Sequence, residues 1–137
     1  MPELSIVIAC YNEEAVLEES VRQIDRIMTM FRCEYELIFV DDCSRDRTRE
    51  LIQALCDDHP GRTAILHEKN KGRGGTVTDG IRASSAPYVG FLDIDLEVHA
   101  RYIPSMLLAL RDGADVAAAY RTYQVQMCFD DILRDVL

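Results

Sequence analysis

The stretch Phe91-Leu92-Asp93-Ile94-Asp95-Leu96-Glu97 decides how the rest of this chain is read. It completes an apolar run, Tyr88-Val89-Gly90-Phe91-Leu92, of the kind that forms a buried strand. It then closes that run with two carboxylates one residue apart and a third at Glu97. A strand ending in acids delivers them to the rim of its sheet. Carboxylates grouped in this way suit a hard divalent cation such as Mg²⁺ or Mn²⁺, which takes oxygen ligands and shares its shell with substrate phosphates. Solvated loop acids can have the same local sequence, so the rest of the chain has to decide between the two.

The same pattern, a buried strand followed by a polar turn, recurs upstream. LSIVIAC (4–10) is a continuous β-branched run that ends in Tyr11-Asn12-Glu13-Glu14. Asn12 reads as the N-cap of a helix reaching about Phe31, with Val16, Leu17, Val21, Ile24, Ile27 and Met28 at helical spacing. YELIFV (35–40) is a second strand, closing on Asp41-Asp42-Cys43-Ser44-Arg45-Asp46-Arg47-Thr48. Ser44 or Asp46 can cap the next helix, which Leu51, Ile52, Leu55 and Cys56 carry to about Asp58 before His59-Pro60-Gly61 stops it. TAILH (63–67) is a short third strand. It leads through Glu68-Lys69-Asn70-Lys71-Gly72-Arg73-Gly74-Gly75 into a helix from about Gly75 to Ser84. Downstream of the acidic stretch the pattern predicts a helix from about Ile103 to Arg111, a fifth strand DVAAAY (115–120) and a last helix over 127–137.

Alternating strands and helices imply an α/β fold, a doubly wound, mostly parallel sheet with helices on both faces. Ligands of such sheets bind at the carboxyl ends of the strands, near the topological switch point. The four polar clusters at 11–14, 41–48, 69–75 and 93–97 all follow strands, so they are expected on one rim.

The totals narrow the classes. The chain's 137 residues make one domain, 48% hydrophobic, and its net charge of −9 argues against a nucleic-acid surface. Phosphates must then be met locally, and the only lysines, Lys69 and Lys71, sit together. Five scattered cysteines without a CxxC read as reduced packing residues in a cytoplasmic compartment, with no zinc site. No apolar run is long enough to span a membrane.

Asp41 and Asp42 can be a helix-capping pair. Alternatively Asp42, one step further out, accepts hydrogen bonds from a base or ribose. The loop 69–75 is neither a Walker A nor a GxGxxG sequence; it suits a phosphate at a helix N-terminus and equally a solvated loop.

Taken together, SIVIACYNEE, ELIFVDDCSRDRT, NKGRGG and GFLDIDLE, in that order, resemble the family 2 glycosyltransferases of GT-A fold, with a Rossmann-like nucleotide-binding half. The nearest subgroup is the one that moves a sugar from a nucleotide sugar to a polyprenyl (dolichyl or undecaprenyl) phosphate. The resemblance, which spans about residues 4–121, implies a nucleotide-sugar site at Ala9, Tyr11, Glu13, Val40, Asp42, Lys71, Gly72, Asp93, Ile94 and Arg121. It makes Asp93 and Asp95 the catalytic Asp-X-Asp, with Mg²⁺ or Mn²⁺ at Asp93, Asp95 and Glu97, the last standing where this subgroup often has Gln. Two departures are visible: Ala9 replaces a common Pro, and Ala119-Tyr120 replace the Gly-Ser that precedes the arginine matched by Arg121.

The implied chemistry is metal-dependent inverting transfer of a hexose, from GDP-mannose or a UDP-hexose, to a polyprenyl phosphate or glycan acceptor at the cytoplasmic face of the membrane. An acceptor phosphate is already an oxyanion and needs no general base, whereas a hydroxyl does. A phospho-receiver signalling domain is the alternative, since ELIFVDD and VGFLDIDL resemble its acidic strand ends. It lacks a lysine beyond Lys71, however, and leaves the first strand unused. A noncatalytic nucleotide-sugar-binding remnant is a third possibility. Family members are longer, with a C-terminal acceptor-side segment, so the 137 residues are expected to be either a fragment or a pared-down relative that lacks it; any peripheral membrane association would come from that segment, and the apolar surface it would cover implies self-association.

Overall fold

A computed structural model describes residues 1–120. Its elements run β1 Leu4–Cys10, α1 Leu17–Phe31, β2 Tyr35–Asp41, α2 Thr48–Asp57, β3 Arg62–Leu66, α3 Gly72–Ala83, β4 Tyr88–Asp93, a single 3-10 turn Ala100–Tyr102, and α4 Ile103–Arg111. The four strands are parallel in the order β3-β2-β1-β4. Register aligns their ends: Ala9 lies opposite both Val40 and Asp93, and Asp41 lies opposite both Cys10 and Leu66. The turns that follow the strands therefore start level with one another.

Strand alternation divides the core between two faces. Ile6, Ile8, Leu37 and Phe39 pack with Leu17, Val21, Ile24 and Met28 of α1 and Ile52 of α2. Val7, Ile38 and Val40 point the other way, toward α3. That helix lies so close to the sheet that a Cβ on Gly80 would stand 2.3 Å from Val7 Cγ1 and 3.1 Å from Val40 Cγ2. Leu107 of α4 joins the first face, and Arg111 reaches back to Glu3 at 2.6 and 2.7 Å.

The elements differ from the sequence expectation in three places. Asn12 does not cap α1: it takes a left-handed φ of 57° and its side chain accepts a hydrogen bond from Arg45 N at 2.7 Å, so the helix starts later, at Leu17. Helix α3 starts earlier than predicted, at Gly72, because a carboxylate distant in sequence, Asp42, receives the amides of Lys71 and Gly72. The predicted fifth strand 115–120 does not form: Val116 is 80% and Tyr120 90% exposed, and among the described residues β1 is the only strand that β4 meets. Without a neighbouring strand its backbone groups have no ladder to join, and Ala117, Ala118 and Ala119 offer little side chain to pack. The predicted helix over 127–137, and Arg121, lie outside the described residues. No helix among the described residues is long and apolar enough to cross a membrane.

Strand order also removes the phospho-receiver. In that fold the strands matching β3, β2 and β4 would be adjacent, with the first of the three at one edge. Here β1 lies between β2 and β4.

Candidate functional site

The chain steps outward from β1 to β2 to β3, then returns through α3 to place β4 on the other side of β1. This reversal is a switch point, and it leaves a crevice beyond the carboxyl ends of the strands. The crevice has a volume of about 320 Å³. The turn after β1 lines it with Ala9, Tyr11 and Glu13, the turn after β2 with Asp42, the first turn of α3 with Gly72, Arg73 and Thr76, and the end of β4 with Asp93. All four clusters singled out in the sequence thus have residues at one place.

The first two turns are fastened to each other. Amides of Asn12, Glu13 and Glu14 donate to Ser44 Oγ, Thr48 Oγ1 and Asp46 Oδ2 at 2.9, 2.8 and 3.1 Å, and Arg47 N returns a bond to Glu14 Oε2 at 2.8 Å. Neither Ser44 nor Asp46 is the N-cap of α2: that position is Arg47, which makes no side-chain cap bond, and Asp46, one residue earlier, accepts the Thr48 amide at 3.0 Å in a local turn. Side chains spend themselves here on backbone donors, which holds Tyr11 and Glu13 at the crevice mouth.

Asp41 and Asp42 have separate tasks. The fully buried Asp41 turns to the α2 side, where its Oδ2 accepts Arg49 Nε at 2.6 Å and Ser44 N at 3.2 Å. Asp42, 5% exposed, turns toward α3. Its Oδ1 accepts Lys71 N at 2.8 Å and faces His67 Nδ1 at 2.9 Å, while Oδ2 accepts Gly72 N at 2.9 Å. Burial alone would raise its pKa, but the bonds from His67, Lys71 and Gly72 outweigh that and hold it below the usual carboxylate range. A carboxylate has about four acceptor positions. Three are used within the protein, which leaves one on Oδ2 for a ligand donor.

The pair at the end of β4 is built differently. Asp93 carries one ion pair, with Arg73 Nη2 at 2.7 Å, and both side chains are partly exposed. Asp95 Oδ1 accepts the Glu97 amide at 3.1 Å, and Leu96, at φ 53°, completes a tight turn whose amide returns to Asp93 O at 3.0 Å. Ile94 between them is 2% exposed and packs into the core, so only its backbone is left to meet a ligand. Val40 is likewise buried against α3. Lys71 directs its amine to Asp79 at 2.6 Å and is not a crevice-lining residue.

Glu13 is held above the usual carboxylate range by burial first, and then by the negative charges of Asp95, Asp46 and Asp93. Acids facing one another in this way make a locale that a cation would relieve. Among the described residues no three acidic, His or Cys groups converge closely enough to hold a metal ion unaided. Both observations fit Mg²⁺ or Mn²⁺ held by one or two carboxylates together with diphosphate oxygens.

The sequence reading gives Thr76 and His67 no place at the site and names Arg73 only as part of the loop 69–75. Arg73 and Thr76 are one helical turn's spacing apart on α3, a signal that was available once the helix began at Gly72. His67 had no local signal, because its partners Asp42 and Asp79 lie 25 positions before it and 12 after it.

Residues 5–135 match the family described as glycosyl transferase family 2. The chain is 34% identical over 119 residues to an undecaprenyl-phosphate 4-deoxy-4-formamido-L-arabinose transferase of Pseudomonas aeruginosa, with 86% of this chain and 35% of that protein covered. It is 34% identical over 118 residues to a dolichol-phosphate mannosyltransferase of Pyrococcus furiosus, covering 86% of this chain and 33% of the other. It therefore spans about a third of the length of these relatives. The fold matches that of the mannosyltransferase PcManGT from Pyrobaculum calidifontis in complex with GDP-Man and Mn²⁺, at a TM-score of 0.71 and 22% identity over 82% of this chain and 33% of that one. It also matches S. aureus TarS 1-349 in complex with UDP-GlcNAc, at a TM-score of 0.60 and 22% identity over 77% and 32%. With nearly its whole length matched from the first strand onward, the chain belongs to glycosyl transferase family 2 and has the GT-A fold.

Proposed function

We propose that this chain is the nucleotide-sugar-binding part of a metal-dependent inverting glycosyltransferase that moves a hexose from a nucleoside-diphosphate sugar to a polyprenyl phosphate. The observation that carries this is the switch-point crevice, where a buried acceptor (Asp42) and the partly exposed Asp93 line one space, with Asp95 exposed in the turn that follows and outside the lining. Asp42 takes a donor from the base or ribose at its one remaining acceptor position. Tyr11, Glu13 and the backbone at Ala9, Val40 and Ile94 frame the nucleoside, Gly72 and Arg73 approach the diphosphate, and Lys71 supports Asp79 beside them. Asp95 and Asp93, with Glu97 in the same turn, hold Mg²⁺ or Mn²⁺. The bound ion supplies Lewis-acid neutralisation of the leaving diphosphate. A polyprenyl phosphate attacks as an oxyanion, so no residue of this chain has to remove a proton from it. The relatives named for undecaprenyl-phosphate and dolichol-phosphate transfer support a lipid-phosphate acceptor over a glycan hydroxyl.

Calorimetry of the 137-residue chain against UDP and GDP, with and without Mn²⁺, is the test. One diphosphate should bind in a metal-dependent way, and Asp95→Ala should remove the metal-dependent part. An Asp95→Ala titration identical to wild type rejects the metal site, and silence with both nucleotides rejects the whole proposal. Val89 and Phe91, exposed on β4, which is an edge strand among the described residues, support self-association. A clean monomer by light scattering at high concentration counts against it.

A further inference from the structure

We infer that His67 is a positioning residue of the nucleotide site, working as a doubly protonated imidazolium clamped between Asp42 and Asp79. This rests on Asp42 belonging to the nucleotide site, as proposed above.

The ring is 5% exposed, with Nδ1 2.9 Å from Asp42 Oδ1 and Nε2 3.1 Å from Asp79 Oδ2. A neutral imidazole has one donor and one lone pair, so in this geometry it would turn its lone pair against a carboxylate. Only the doubly protonated ring donates to both. The backbone of His67 is fixed as firmly as the ring: its amide donates to Asp41 O at 2.9 Å, and its carbonyl accepts from Arg49 Nη2 and Cys43 Sγ. On the α3 side, Asp79 also meets Lys71 at 2.6 Å and, more loosely, Arg82 at 3.8 Å. The charged and titratable groups around His67 are therefore Asp42, Asp79, Lys71, Arg82, Arg49 and Cys43, and the two nearest to its ring are carboxylates.

His67 fixes two things at once. It holds the Oδ1 side of Asp42, which leaves Oδ2 to receive Gly72 N and one ligand donor. It also ties α3, through Asp79, to the end of β3, so that Gly72, Arg73 and Thr76 stay at the crevice wall. Loss of one ring proton breaks one of these two ties. Nucleotide affinity should accordingly fall as pH rises, because the binding-competent arrangement, with a carboxylate at each ring nitrogen, holds the extra proton.

The test is calorimetry of the 137-residue chain with UDP and GDP in the presence of Mn²⁺, following whichever binds, from about pH 6 to about pH 8.5, with ring ¹⁵N chemical shifts as an independent readout. In wild type, affinity should fall across this range, and both ring nitrogens should resonate as an imidazolium at its acidic end. His67→Gln should bind about tenfold or more weakly at the acidic end and lose the pH dependence. If His67→Gln does not fold, Asp79→Asn serves instead: with one carboxylate gone the proton is held less tightly, so the fall in affinity should begin at lower pH. A His67→Gln chain that matches wild type in affinity and pH profile overturns the inference. So does a ring that is a single neutral tautomer at about pH 6, or an Asp79→Asn profile that does not move. Absence of any nucleotide binding to wild type would instead overturn the site on which the inference depends.

Discussion

Two acidic pairs close two parallel strands of this sheet, Asp41-Asp42 after β2 and Asp93-Ile94-Asp95 at the end of β4, and the fold uses them in opposite ways. The first pair is buried and heavily bonded: Asp41 holds Arg49 and Ser44 through Oδ2 while its buried Oδ1 has no partner among the described residues, and Asp42 has three of its acceptor positions filled from 25 to 30 residues away. The second is partly exposed and sparsely bonded, with one ion pair to an exposed arginine and one turn amide. Local sequence makes the two look alike. What separates them is the number of donors the tertiary structure brings to each: a carboxylate held mostly by its own protein organises the site, and one left open to solvent is available to a ligand or cation.

The largest expected difference between the pairs is in stability. Asp42→Ala leaves His67 and the amides of Lys71 and Gly72 without their buried acceptor, and should cost about 3 kcal/mol in urea unfolding. Asp93→Ala removes only a partly exposed ion pair and should change stability by less than about 0.5 kcal/mol. Equal losses at the two sites would break the comparison.

A second, smaller effect sharpens it from a distance. Gly80→Ala would press a methyl group into Val7 and Val40, displacing α3 from the sheet at about 2 kcal/mol of cost. Because α3 carries the amides that Asp42 receives, this variant should weaken nucleotide binding more than it weakens Mn²⁺ binding at the β4 end. Matched titrations of nucleotide and Mn²⁺ check the order.

The smallest effect is in acid. Asp42 titrates below the usual carboxylate range in the folded chain, so its contribution is complete above the unfolded value, about pH 4, and is lost as pH falls through the folded one. Asp42→Asn should flatten the acid limb of a stability-against-pH curve measured by urea unfolding.

Much of the fold was legible because its signals are local. Mainly apolar runs with β-branched or aromatic residues, such as LSIVIAC and YELIFV, mark strands buried on both faces, and helix α4 falls where its apolar spacing put it, at Ile103–Arg111. The start of α1 was misplaced because Asn12 took a left-handed turn to reach Arg45, and that of α3 because its cap came from Asp42, a partner that periodicity does not record. The run 115–120 has the length of a strand, but a strand exists only where another strand meets it.

By itself the sequence determined the alternation of strands and helices, the placing of a polar cluster after each strand, and the family, since all of these are written in short-range pattern and residue order. Only the tertiary structure decided which acids are structural and which are open, where α3 begins, and that His67 stands between Asp42 and Asp79. Those outcomes depend on hydrogen bonds between groups far apart in the chain, and a side chain's remaining capacity to bind is known only once its internal partners are counted.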